Sequence, residues 1–259
     1  MSLKVSVITA TYNSAKTLGF CLDSVISQNY SNIEYIIIDG DSKDNTPGLL
    51  KAAAQNHPQI KWISEPDMGI YDALNKGVAC ATGDVIGFLH SDDILADTTV
   101  ITAIVDVFKN NSTDGVYADL QYVDQQDVNK VIRYWKSSKF HSSLLKKGWM
   151  PAHPTLFLKR EIYNKHGLFN LEFKISSDYD FMLRVLTDFS LSFMYLPTVV
   201  TKMRIGGASN GSLKKILLKS KEDYKILKQH DFSSPLYTVI FKNLSKLKQF
   251  KRLPKISKM

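Results

Sequence analysis

Two adjacent carboxylates, Asp92 and Asp93, terminate the apolar run GFLH of residues 87–90. Neighbouring acids at the end of a strand can hold a hard divalent cation, with water and phosphate oxygens filling the remaining positions, as Mg2+ prefers. The same acids could instead cap a helix beginning near Ile94, a favourable place for negative charge. Two further polar clusters, Thr11-Tyr12-Asn13 and Asp39-Gly40-Asp41, also follow apolar runs. Taken alone, the second of these is equally an ordinary turn, which uses Asp, Gly, Ser and Asn. No Walker-type Gly-Lys-Ser/Thr sequence occurs and no G-x-G-x-x-G opens a helix after the first strand, so P-loop and dinucleotide-binding chemistry are not supported.

These clusters must be positioned by the elements before them. KVSVITATY (4–12) is rich in β-branched residues, as a strand buried on both faces of a parallel sheet should be. After NSAKT, the residues Leu18, Cys21, Leu22, Val25 and Ile26 recur at helical spacing. IEYIIID (33–39), IKWIS (60–64) and DVIGFLH (84–90) read as further strands, and YDALNKGVACA (71–81) as a helix closed by Thr82-Gly83. This alternation predicts a parallel α/β sheet with right-handed crossovers, which binds ligands beyond the carboxyl ends of its strands. All three polar clusters would then meet at one edge. Beyond them GVYADLQYVD (115–124) predicts a strand pair, and Tyr179, Phe181, Met182, Val185 and Leu186 predict a helix.

The chain of 259 residues, 44% apolar and 22% charged, has the composition of a folded soluble protein. Cys21 and Cys80 lie in helix-like apolar patterns and read as buried thiols, which points to a reducing, cytoplasmic compartment. Neither a secretory leader nor an apolar run of the roughly 20 residues needed to span a bilayer is seen. Residues 213–259 hold 13 Lys and Arg against 3 Asp and Glu, a net of +10 within a chain of +8, so the body is slightly acidic and the tail carries the positive charge. That imbalance argues against nucleic-acid binding by the body, and the tail has no aromatic reading motif. We divide the chain into 1–210, one domain with halves 1–95 and 96–210, and a basic helical extension, 211–259.

Four ordered motifs, VSVITATYNSAKTLGFCLDSVISQ, YIIIDGDSKDNT, EPDMGIYDALNKGVACATGDVIGFLHSDD and SSDYDFMLR, resemble the family 2 glycosyltransferases of the GT-A fold. DxGIYDAxNKG is similar to the branch that builds bacterial O-antigens, capsules and exopolysaccharides. The resemblance is strong over residues 4–95, weaker to about 208, and absent in the tail. It implies a GT-A fold: a mostly parallel central sheet flanked by helices, with residues 1–95 binding a nucleotide-sugar and 96–210 facing the acceptor.

The resemblance also implies roles. Thr11, Tyr12, Asp39, Asp72 and Asp92 would bind the nucleotide-sugar, with Tyr12 packing on the base, Asp39 bonding it, and Asp92 facing the ribose or a metal water. Asp93 would ligate Mn2+ or Mg2+ at the diphosphate. Asp178 would be the catalytic base, with Asp180 as the fallback. Where the family often has an acid before the base, this chain has Ser177, so acceptor contacts would come from Ser176, Ser177 or elsewhere. The implied reaction is inverting transfer of a hexose or N-acetylhexosamine, with a UDP-sugar as donor and a polyprenyl-diphosphate-linked saccharide as acceptor. The alternative is a non-catalytic nucleotide-sugar or glycan-binding module that keeps the fold.

His153 could contact acceptor or diphosphate, or be a loop histidine set by Pro154. Arg204 could pair with the diphosphate, since Arg suits phosphate geometry, or form a surface salt bridge. His90 also flanks the expected site. In the tail, Leu236, Tyr237, Ile240, Phe241, Leu244 and Leu247 follow helical spacing among Lys242, Lys246, Lys248, Lys251 and Arg252. Such a helix could lie on the inner leaflet as a peripheral anchor, or pack on the domain.

Overall fold

The computed structural model describes residues 2–206 and 213–245. Strand β1 (Val5–Thr11) is followed by α1 (Leu18–Ile26), β2 (Ile33–Asp39), α2 (Thr46–Asn56), β3 (Ile60–Ser64), α3 (Ile70–Cys80) and β4 (Val85–Phe88). Then come β5 (Ile94–Leu95), α4 (Val100–Asn110), β6 (Gly115–Val123), β7 (Val131–Trp135), β8 (Phe157–Lys159), α5 (Arg160–His166), α6 (Ser177–Leu186), β9 (Phe193–Arg204), α7 (Leu213–Gln229) and α8 (Pro235–Ser245). The strands form one sheet in the order β3-β2-β1-β4-β8-β6-β9-β5, with β7 hydrogen-bonded to the outer part of β6.

The expected α/β architecture is present: the pairs of the first half are all parallel, and in the second half β6 runs parallel to β9. β1 pairs in parallel with β2 and β4, and β2 with β3, while β8 runs antiparallel to both β4 and β6. Successive side chains of β1 and β2 face opposite sides of the sheet. Ile8, Ala10, Ile36 and Ile38 enter one core with α3 and α6, and Val5, Val7, Tyr35 and Ile37 enter the other with α1 and α4. Burial on both sides explains the unbroken apolar runs. Helix α3 lies close on the sheet because Gly77 has no side chain: a Cβ there would stand 2.3 Å from Ile8.

Four expectations change. Ile94 does not open a helix; Ile94–Leu95 is a short strand antiparallel to β9, so Asp92 and Asp93 are not helix caps. Residues 115–123 are one strand, whose hairpin partner is the later β7. Cys21 is buried, but Cys80 is only half-buried. The extension is not merely an appendage. Ile226, Leu227 and Val239 join the core on the α6 side, and Lys242, one of the basic residues of the expected membrane-surface helix, is buried. Its Nζ lies 2.8 Å from the Asp223 carboxylate and 3.1 Å from the centre of the Tyr179 ring, which compensates the buried charge. Leu247, Lys246, Lys248, Lys251 and Arg252 lie outside the described residues.

Candidate active site

The carboxyl ends of β1, β2 and β4 deliver the three polar clusters to one edge, and the loops there are tied to each other. Asn13 N–H donates to Ser42 Oγ at 2.7 Å, Ser14 N–H to Thr46 Oγ1 at 2.9 Å, and the Ser14 and Ser91 hydroxyls are 2.9 Å apart. Asn13 (φ 49°) and Asp41 (φ 62°) turn the chain with left-handed backbone, which Asn and Asp tolerate better than other side chains.

Thr11 and Asp39 are neighbours in the β1–β2 register. Thr11 Oγ1 is buried without a partner. Tyr12 presents a ring that is 63% exposed, beside Gly40, so its face is free to receive a planar ligand. Asp39 is fully buried and already accepts from the Ser42 hydroxyl at 2.5 Å, the Ser42 N–H at 3.1 Å and the Ser64 hydroxyl at 2.6 Å. A ligand donor bonding Asp39 would share an oxygen with one of these groups. Asp72, expected among the donor contacts, is used locally: it accepts the Met68 N–H at 3.0 Å and lies 3.7 Å from Lys76 Nζ. It closes the turn at Gly69, whose φ of 114° suits glycine.

Asp93 N–H donates to the His90 carbonyl at 2.9 Å, so residues 90–93 form a tight turn after β4. Asp92 accepts no hydrogen bond from the described residues and stays half-buried. Asp93 is 1% exposed; its Oδ1 accepts the Arg204 N–H at 3.2 Å, and its Oδ2 has no partner. Burial, reinforced by the Asp92 charge, raises the Asp93 carboxyl well above the usual carboxylate range. A buried carboxylate oxygen without a donor, next to a second free carboxylate, suits a hard cation. Among the described residues no group of three His, Cys, Asp or Glu side chains assembles a cage of its own, so water and a phosphate ligand would complete the coordination.

Asp178 sits in the first turn of α6. Its Oδ1 accepts the Tyr71 hydroxyl at 3.2 Å and the Tyr179 N–H at 2.9 Å. Burial works to raise this carboxyl, but His153, Lys219, Lys242 and the Tyr179 N–H outweigh it and hold Asp178 below its ordinary value. Burial keeps His153 itself near 4, so at neutral pH the lasting counter-charge is that of the two lysines. Asp178 and the acid pair influence the same side chains: the charges of Asp92 and Asp178 both raise His90, and those of Asp93 and Asp178 both raise Tyr122.

His153 is 7% exposed, stacks on Phe88 at 5.1 Å and lies 6.0 Å from His90, with its Nε2 unpartnered. Arg204, at the end of β9, is buried. Its Nη1 donates to the Gln125 carbonyl at 2.9 Å, its guanidinium stands 5.0 Å from the Phe20 ring, and its Nε has no partner. Asp180 is held by Arg184 at 3.1 Å and His230 at 2.9 Å, which removes it as a fallback base. Ser177 donates to the Asn170 carbonyl at 2.8 Å and is fully buried, so it is turned away from any acceptor. The Ser176 hydroxyl is buried without a partner. Tyr71 lies inside a motif we quoted but received no role, because its link to Asp178 spans 107 residues and has no local signal.

The family model described as Glycosyl transferase family 2 matches residues 6–167. The chain is 32% identical over 218 residues to the PGL/p-HBAD biosynthesis glycosyltransferase of Mycobacterium tuberculosis, covering 83% of this chain and 82% of that protein. Among solved structures it resembles S. aureus TarS 1-349 in complex with UDP-GlcNAc, with a TM-score of 0.71 at 16% identity over 98% of this chain and 77% of that one. Against the longer S. aureus TarS chain it spans 46% of the length, with a TM-score of 0.68. It also resembles the mannosyltransferase PcManGT from Pyrobaculum calidifontis in complex with GDP-Man and Mn2+, with a TM-score of 0.65 at 18% identity over 97% of this chain and 74% of that one. At such identities the structures speak for the shared fold alone.

Proposed function

The chain belongs to glycosyl transferase family 2, and from that premise we propose that it transfers a hexose or N-acetylhexosamine from a UDP-sugar to a lipid-linked or oligosaccharide acceptor, with inversion. The observation that carries this reading is an ionised Asp178, held by Tyr71, together with the half-free acid pair Asp92-Asp93, whose charges act with that of Asp178 on His90 and Tyr122. A binding module has no use for a poised carboxylate opposite a diphosphate site.

In this reading Tyr12 packs on the nucleotide base, Asp39 bonds it, and Thr11 lies beside them at the strand edge. Asp93 would hold Mn2+ or Mg2+, with Asp92 beside it facing the ribose or a metal water, and the ion would supply positive charge against the diphosphate. Asp178 accepts the proton of the acceptor hydroxyl as that oxygen bonds the anomeric carbon from the face opposite the leaving group. The bond from that carbon to the diphosphate oxygen breaks, and the oxygen keeps the electron pair. One displacement inverts the centre, and base catalysis of this kind contributes about 10²- to 10⁴-fold. To acceptor or diphosphate we assign His153 and Arg204, which keep an unpartnered Nε2 and Nε respectively.

The UDP preference rests on the family resemblance and on the UDP-GlcNAc complex of TarS, against the GDP-Man complex of PcManGT. For the acceptor we propose a saccharide on a polyprenyl diphosphate, met at an anionic inner-leaflet surface. Two features of the extension support that surface: Leu217 is 70% exposed on the lysine-rich helix α7, and Leu236 is 64% exposed on α8. No described helix is long and apolar enough to cross a membrane.

Calorimetric titration of UDP, GDP, dTDP and CMP, each with Mn2+ and with EDTA, tests the donor site. UDP should bind only with metal, and Asp93→Ala should abolish that binding. Asp178→Asn should keep it while transfer falls by at least about 10²-fold. Metal-dependent binding of GDP alone would replace the donor assignment, and normal turnover of Asp178→Asn would remove the base.

A further inference from the structure

Helix α6 begins without a side-chain cap of its own. Its N-cap residue, Ser176, makes no capping hydrogen bond, and Ser177 is spent on the Asn170 carbonyl. The N–H groups at a helix start nonetheless need acceptors, and the positive end of the helix favours an anion. One carboxylate from the C-terminal extension binds the strap that leads into this helix, reaching the N-cap N–H of Ser176 and the two N–H groups before it. Lys174 N–H donates to Glu222 Oε1 at 3.0 Å, and Ile175 and Ser176 N–H donate to Glu222 Oε2 at 3.0 and 2.9 Å. Glu222 is 9% exposed, so these are bonds to a largely buried charge.

The Ile175 peptide is also gripped from its other side. Its carbonyl accepts the Tyr71 hydroxyl at 2.8 Å, and that hydroxyl also contacts Asp178 at 3.2 Å. Two further ties follow on the same helix: Asp180 to His230 at 2.9 Å, and the Tyr179 ring under Lys242 at 3.1 Å, where Lys242 is paired with Asp223. Residues 174–180 are therefore held by α7, by the turn after it, and by α8. From the second half of the sheet domain the Asn170 carbonyl holds Ser177 at 2.8 Å and Arg184 holds Asp180 at 3.1 Å.

We infer that Glu222 is a positioning residue for the transfer reaction: by clamping the strap 174–176 it fixes the start of α6 and so the place of Asp178. The proposal rests on Asp178 being the base. It makes the extension, which lies outside the matched family region of 6–167, part of the catalytic framework.

The test uses the full chain carrying Glu222→Gln, Glu222→Ala or Lys225→Ala, with Asp178→Asn in parallel. Lys225 is a surface residue on the same helix that pairs with Glu172 and makes no bond to the strap. In Glu222→Gln, kcat should fall about ten- to a hundredfold, as when a reacting group is misplaced by about 1 Å, with donor KM and nucleotide affinity unchanged. Amide hydrogen exchange should accelerate at residues 174–176 and stay slow in β1, β2 and β4. Lys225→Ala should keep the parent kcat. Glu222→Ala should lose at least as much as Glu222→Gln; if it does not fold, the near-isosteric Gln variant decides alone.

Parent-like kcat in Glu222→Gln, equal loss in Lys225→Ala, or a proportional loss of nucleotide affinity and kcat would each overturn the clamp. Full turnover in Asp178→Asn would instead remove the base assignment. An inactive Asp178→Asn beside an unimpaired Glu222→Gln would remove the clamp alone.

Discussion

Asp178 and Asp93 are two carboxylates with opposite local electrostatics. Asp93 is buried beside another acid and resists ionisation until a cation offsets it; Asp178 is surrounded by cationic lysines and donors that keep it charged. Tyr71 sets the geometry of the second. Tyr71→Phe keeps the ring against Phe169 at 5.5 Å and deletes only the hydroxyl. A hydrogen bond to a charged group is worth about 1.5–3 kcal/mol, so kcat should fall about ten- to a hundredfold while calorimetry shows unchanged nucleotide binding. An equal loss of nucleotide affinity would mean that Tyr71 supports the donor half instead. The neighbouring Asp72 shows why such roles are hard to read: adjacent helical residues point about 100° apart, so one faces Asp178 and the other closes its own helix start.

At the scale of elements, the edge of the sheet opposite the site is tied by Glu34 at the start of β2. It accepts from the Ser6 hydroxyl at 2.5 Å on β1, from the Thr82 N–H at 2.6 Å and Gly83 N–H at 2.8 Å between α3 and β4, and lies 3.0 Å from Lys4 Nζ. Burial acts to raise its carboxyl, but the Ser6, Thr82 and Lys4 donors overcome this and bring it to about 2, from an ordinary 4.5. Because the folded value is depressed, Glu34 contributes stability that is fully present above about pH 4.5 and is lost as pH falls towards 2. Glu34→Gln should therefore lower the denaturant midpoint at pH 7 and flatten its decline between pH 4.5 and 2. A decline as steep as the parent's would show that other carboxylates carry the whole acid transition.

Across the whole molecule, a sheet domain that supplies the chemistry is braced by a two-helix extension with an unusual outer surface. α8 turns Thr238, Val239 and Lys242 inward and leaves Leu236, Tyr237, Ile240 and Leu244 each more than half exposed. Exposed apolar side chains on α8 together with the lysines of α7 suit an anionic bilayer surface, where each basic residue adds about 1 kcal/mol. The protein should co-sediment with phosphatidylserine-containing vesicles, less with neutral ones, and be partly released by 0.5 M salt, which screens the charges. Leu236→Ser with Ile240→Ser should weaken the binding without altering nucleotide affinity. Equal binding to neutral and anionic vesicles would remove the electrostatic part of this reading.

The first half of the fold was legible in the order of residues alone, because strands buried on both faces must be apolar throughout and their helices must repeat at 3.6 residues. Thr11, Asp39 and Asp92 could thus be placed on one edge, and their motifs carried the family. Only the tertiary structure decided what depends on packing between distant segments. It turned Ile94–Leu95 into a strand by pairing it with β9, withdrew Asp180 into a contact with His230, and buried Lys242 against Asp223. It also brought Glu222 to the strap before Asp178, 46 to 48 residues away along the chain. Periodicity and spacing report how a segment meets its own neighbours, whereas these contacts arise from β9 returning beside β5 and from α7 and α8 closing over α6.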